Sequence, residues 1–204
     1  MNLRVKSWHT TFKTPKFYLI YSSTPMNTAK NKNSSFFTMI WVALSCIMTG
    51  GVIGGTTNAV NGYISPVYFQ NILGWDFPGI YFAIVVQGIV EGLIYGLLFA
   101  LLFIVIVYFI LKLDLSYRFF LKYFFKIIVL IYSCWLLGGL IGIGLAALSP
   151  EFFQEFFYLV PEDNILISGY AWVGGSITGA MLGGIFGLVI AIVRLRKEWG
   201  RNTT

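Results

Sequence analysis

Charge is scarce in this chain: Asp, Glu, Lys and Arg make up 11% of its 204 residues, while 57% are hydrophobic. A water-facing surface has to be solvated, and soluble domains carry about 25% charged residues for that reason. With so little charge and a mean hydropathy of +0.78, the chain is expected to have lipid as its solvent. Histidine is scarcer still. His9 is the single one, which excludes a histidine-based metal cluster, and no nucleophile stands beside a usable base. The sequence has no phosphate-cradling loop either, so neither catalysis nor a cofactor nor a metal is expected. The two cysteines, Cys46 and Cys134, both sit in apolar stretches. A thiol there behaves as a small hydrophobe, and the pair is read that way rather than as a disulfide.

Aromatics and glycine are plentiful instead, with 19 Phe, 12 Tyr, 6 Trp and 22 Gly. A helix needs roughly 20 apolar residues to cross the hydrocarbon, and four segments qualify: 36–60, 80–111, 124–148 and 165–193. The second is unusually long. Its end, 101–111, reads LLFIVIVYFIL, so the helix is expected to tilt or protrude.

The basic residues orient these spans. Arg4, Lys6, Lys13, Lys16, Lys30 and Lys32 precede the first. Lys112, Arg118 and Lys122 lie between the second and third, Lys126 stands in the first turn of the third, and Arg194, Arg196, Lys197 and Arg201 follow the last. The two other connections hold no Lys or Arg, but Asp76, Glu151, Glu155, Glu162 and Asp163. Positive charge resists translocation, so both termini are expected on the cytoplasmic side of a cell or inner membrane. The net charge of +6 then implies contact with anionic lipid, not with nucleic acid. Residues 1–35 read as a disordered, basic cytoplasmic tail, 113–123 as a basic connector and 194–204 as a second basic tail.

The spans carry a repeated phrase. Ser45 to Gly54 reads SCIMTGGVIG, and Ser133 to Gly142 reads SCWLLGGLIG. Further on, SPVYFQ from Ser65 returns as SPEFFQ from Ser149, and Gly88, Gly92, Gly96 and Phe99 return as Gly175, Gly179, Gly183 and Phe186. Several coincidences in the same order point to duplication. The expected fold is an all-α integral membrane protein: four transmembrane helices in two parallel, duplicated helix–loop–helix units, 36–112 and 124–193. Two spans per unit return the chain to the same side, which relates the units by a pseudo-twofold axis along the membrane normal. The Ser-Pro pairs have the form of an N-cap followed by proline at the first helical position, so each outer loop should hold a short helix at the interface.

Glycines line up at four-residue spacing on every span: Gly50/Gly54, Gly51/Gly55, Gly88/Gly92/Gly96, Gly138/Gly142 and Gly175/Gly179/Gly183/Gly187. Lipid gives no hydrophobic drive for helix association, so small residues that let backbones approach are the expected packing surfaces. Glu91 is the one acidic residue inside a span. Gln87, Glu91 and Tyr95 form a stripe at i, i+4, i+8, and Asn58 and Asn61 end the first span at a similar depth. Together these five are the candidate binding residues, an outward-facing polar pocket in which Gln87, Tyr95 or Asn58 holds the carboxyl. Ser45 and Ser133 are expected to bond back to the preceding helical turn. The expected role is a non-catalytic bundle for membrane assembly or scaffolding, self-associating or holding another membrane protein. The alternative is a small transporter or channel built on the Glu91 pocket.

Overall fold

The computed structural model describes residues 28–111, 117–157 and 159–202. Within them the regular structure is helical: α1 Thr28–Ile64, α2 Pro66–Leu73, α3 Ile80–Ile104, α4 Tyr117–Leu148, α5 Pro150–Phe156 and α6 Asn164–Asn202. A π-helical stretch, Val105–Ile110, prolongs α3. Four segments are long and apolar enough to cross a membrane: Phe36–Ile64, Ile80–Ile110, Phe120–Leu148 and Leu166–Lys197. Over the described residues the regular structure is thus all-helical, with four apolar helices compatible with a multi-pass membrane protein. The 31 residues of the second segment rise ~46 Å at about 1.5 Å each. That exceeds the ~30 Å hydrocarbon core, so this helix must tilt or emerge.

The helices run past the spans read from the sequence, and residues 28–35, expected to be disordered, are helical. Helix α1 already runs from Thr28, and α6 continues to Asn202 through Arg194, Arg196, Lys197 and Glu198, residue types that extend a helix readily. Likewise α4 begins at Tyr117 and takes in most of the segment assigned to the connector. Residues 1–27, the rest of the proposed tail, lie outside the described residues.

A short helix does follow each Ser-Pro step, and proline occupies its first turn in both. The serines do not cap it with their side chains. Instead the Ser65 amide donates to the Asn61 carbonyl at 2.9 Å and the Ser149 amide to the Leu145 carbonyl at 3.1 Å, so the long helices close their last turn at these residues. Helix α2 stops at Gly74 (φ 68°, ψ 28°), and Gly79 (φ 86°) launches α3; both lie in the left-handed region that glycine adopts without a Cβ penalty.

α1 packs antiparallel on α3, and α4 antiparallel on α6. Large apolar clusters join the two hairpins near either end. At the basic end Val42, Phe103, Val107, Phe120, Phe124 and Leu195 meet in one cluster drawn from all four spans. Toward the opposite end Phe69 and Ile84 of the first hairpin pack with Trp172 and Val173 of the second. The outward faces, with Trp41, Met48, Phe82, Phe109 and Leu148 exposed, are as apolar as a lipid-facing surface requires.

Candidate functional site

The geometry of the site starts with glycine. A Cβ built at Gly50 would meet the Gly92 carbonyl oxygen and stand 2.9 Å from Gly96 Cα. One at Gly54 would meet the Gly88 carbonyl and stand 3.0 Å from Gly92 Cα, and one at Gly96 would stand 2.9 Å from Ile47 Cα. In the second hairpin, Gly138 faces Gly175 and Gly179 in the same manner, Gly142 faces Ala171, and Gly183 faces Ile131 Cα at 3.0 Å. At these points backbone meets backbone. Gly51, Gly55 and Gly187 have a different environment: their missing Cβ leaves room for the side chains of Leu93, Ile89 and Ile127. Sequence spacing missed Gly139, where a Cβ would stand 2.6 Å from the Trp172 ring, and Gly62, where it would stand 2.9 Å from the Ile84 side chain.

Between the hairpins, at mid-height, lies a cleft of about 360 Å³ lined by residues of all four spans. Asn58, Glu91 and Tyr95 line one wall together with Thr49 and Thr57. The facing wall is apolar, carrying Phe124, Ile131, Ile177 and Met181 beside Trp135. The Trp135 Nε1–H is buried and has no hydrogen-bond partner. Of the five residues singled out in the sequence, three therefore share the cleft.

The other two have different places. Gln87 stands behind Glu91 and donates from Nε2 to its carboxylate at 2.9 Å. Asn58 does not reach Glu91. It is buried, and its Nδ2 donates to the Ile84 carbonyl at 3.2 Å, which ties α1 to α3. Asn61 leaves the pocket altogether. It is fully buried, and its Oδ1 accepts from Trp172 Nε1 at 3.2 Å and from Ser176 Oγ at 3.1 Å. Both partners are donors, which fixes the amide's orientation and leaves its Nδ2 without one.

Asn61 belongs to a row of polar contacts that α1 makes with the second hairpin. Ser45 Oγ is 2.7 Å from the Tyr117 hydroxyl, and Thr56 Oγ1 is 2.7 Å from the Tyr132 hydroxyl. The serine pair thus divides: Ser133 bonds back to the Val129 carbonyl at 2.8 Å as expected, whereas Ser45 bonds across. Above the cleft, α2 rests on α6 through Tyr68, whose ring lies 4.9 Å from that of Tyr170. Burial, and after it the charge of Glu91, push the Tyr68 phenol above its usual range. Both cysteines are free thiols.

Chemically, this arrangement offers one carboxylate, a few hydroxyls and amides, and a mostly apolar wall. Such a site can bind or pack. Among the described residues no three His, Cys, Asp or Glu side chains are grouped to hold a metal ion. Compared with known proteins, the chain matches no family model, no curated protein and no solved structure.

Proposed function

We propose that this chain is a non-catalytic membrane bundle that works in assembly by associating with further copies of itself. In this reading two duplicated hairpins, each drawn together by a glycine zipper, point the same way across the membrane with both termini on the cytoplasmic side. The carrying observation is how the polar side chains of the spans are used. Asn58, Asn61, Ser45 and Thr56 all bond to neighbouring helices, so they hold the bundle rather than face a substrate. The backbone contacts at Gly50/Gly92 and Gly138/Gly175 support the zipper. The matched Ser65 and Ser149 amide bonds, followed in each half by a proline-started helix, support the duplication.

A second reading, a small transporter or channel, is favoured by one observation. Glu91 is exposed on the wall of the cleft and, among the described residues, bonded only within its own helix. One pair of measurements separates the two. In native membranes a second, differently tagged copy should co-purify with the first. In proteoliposomes the purified protein should give no pH-dependent flux. Glu91→Gln and Glu91→Leu should each stay within about 0.5 kcal/mol of the wild type, the range of exposed substitutions. Single-copy particles combined with a flux that Glu91→Gln abolishes would replace the first reading by the second.

The orientation has its own check. With Cys46 buried and Cys134 inside a span, background labelling should be low. A cysteine at Asp163 should react only from outside the membrane, and one at Ser116 only from the cytoplasm. Cytoplasmic labelling of the Asp163 site would invert the topology.

A further inference from the structure

A second depression, about 190 Å³, opens at the basic end between α4 and α6. Lys126 stands on one side and Arg194 on the other, with the Tyr123 ring beside them and Leu130 and Ile190 forming an apolar floor. Gly187 and Ala191, also in the lining, are small enough to leave the space open. Both cations are exposed, and among the described residues no acidic side chain lines the notch. Lys126 Nζ lies 5.8 Å from the Tyr123 ring centroid, and neither cation has an ion pair among the described residues. Both sit just inside the ends of the apolar spans Phe120–Leu148 and Leu166–Lys197, the depth at which lipid phosphates lie.

We infer that this notch holds the phosphate of an anionic phospholipid, with Lys126 and Arg194 as its two cationic contacts. Two positive charges without a counter-ion among the described residues, placed above an apolar floor, match a ligand with an anionic head and an acyl tail. Basic notches between transmembrane helices take such headgroups for this reason. Arg supplies the planar fork that grips phosphate oxygens, and Lys supplies a compact point charge.

The test is lipid retention by the full chain in detergent, read by native mass spectrometry after adding phosphatidylglycerol and phosphatidylcholine in equal amounts. Phosphatidylglycerol should be retained in preference. Lys126→Gln and Arg194→Gln should each reduce its retention about fivefold, which is about 1 kcal/mol per charge, with phosphatidylcholine unaffected. Arg118→Gln, which removes an exposed charge at the same end but outside the notch, should change little. Both notch variants alter exposed side chains, and unchanged melting temperatures would confirm that they fold. Equal retention of the two lipids overturns the inference. So does a loss from Arg118→Gln as large as from the notch variants, which would mean a diffuse surface charge. Displacement by inorganic phosphate would also overturn it, because the site would then take a free anion.

Discussion

Gly92→Ala should break the first hairpin, although it adds a single methyl group to a helix of lipid-compatible residues. The added Cβ would meet the Gly50 carbonyl oxygen and lie 2.8 Å from Gly50 C and 3.1 Å from Gly51 Cα. All three are backbone atoms, so no rotamer change can make room. The helices must separate, and that takes with it the approaches at Gly54, Gly88 and Gly96 on either side. Overpacking alone costs about 1–3 kcal/mol, and lipid returns nothing when a helix interface opens. Helix propensity works in the opposite direction, since alanine is favoured over glycine by about 1 kcal/mol. Gly144 separates the two effects. A Cβ there meets nothing within 4 Å, so Gly144→Ala should leave the melting temperature in detergent unchanged or raise it. Gly92→Ala should lower it by several degrees. Equal melting of the two variants would show that the α1–α3 crossing does not depend on backbone approach.

That contrast also marks how far the sequence could be read. Hydropathy and length give the four spans, because crossing lipid demands a long apolar run with its own hydrogen bonds satisfied. The Ser-Pro steps give α2 and α5, since proline's fixed φ suits a first helical turn and little else nearby. The start of α1 at Thr28 was not legible, because residues 28–35, TAKNKNSS, carry no apolar period. Glycine spacing names residues on a face but not what that face meets. Gly51 and Gly55 have the same period as Gly50 and Gly54, yet they receive side chains rather than backbone. Gly139 and Gly62 have no stripe of their own, and only the positions of Trp172 and Ile84 explain them. The candidate site was half legible. The i, i+4 pair Gln87 and Glu91 is local and visible. The partners of Asn58 and Asn61 are set by helix crossings, for which a single sequence has no period to show.

Asn61→Leu is expected to loosen the two hairpins from each other while leaving each of them intact. The local helix should tolerate the change. Leu145 occupies the matching position ahead of the other Ser-Pro step, its carbonyl accepting the Ser149 amide as that of Asn61 accepts the Ser65 amide. Leu145 is exposed, whereas Asn61 is fully buried against the second hairpin, so the difference between the two sites lies in what they face. Leucine at 61 removes the acceptor for two donors. Ser176 keeps a bond to the Val173 carbonyl at 3.0 Å, but its neighbour Trp172 Nε1 loses its partner in a buried setting. An unpaired buried donor costs about 1–3 kcal/mol, whereas hydrogen bonds between membrane helices measure about 0.6 kcal/mol on average and at most about 1.7. The Nδ2 that is already without a partner disappears with the substitution and offsets part of the loss, so the net cost should be about 1 kcal/mol. A double-mutant cycle with Trp172→Phe isolates the bond. Once the indole N–H is gone, Asn61→Leu should cost less by about 0.6–1.7 kcal/mol. Additive effects would mean that the amide and the indole do not interact across the hairpins, and that the end clusters and the Ser45–Tyr117 and Thr56–Tyr132 bonds hold them together.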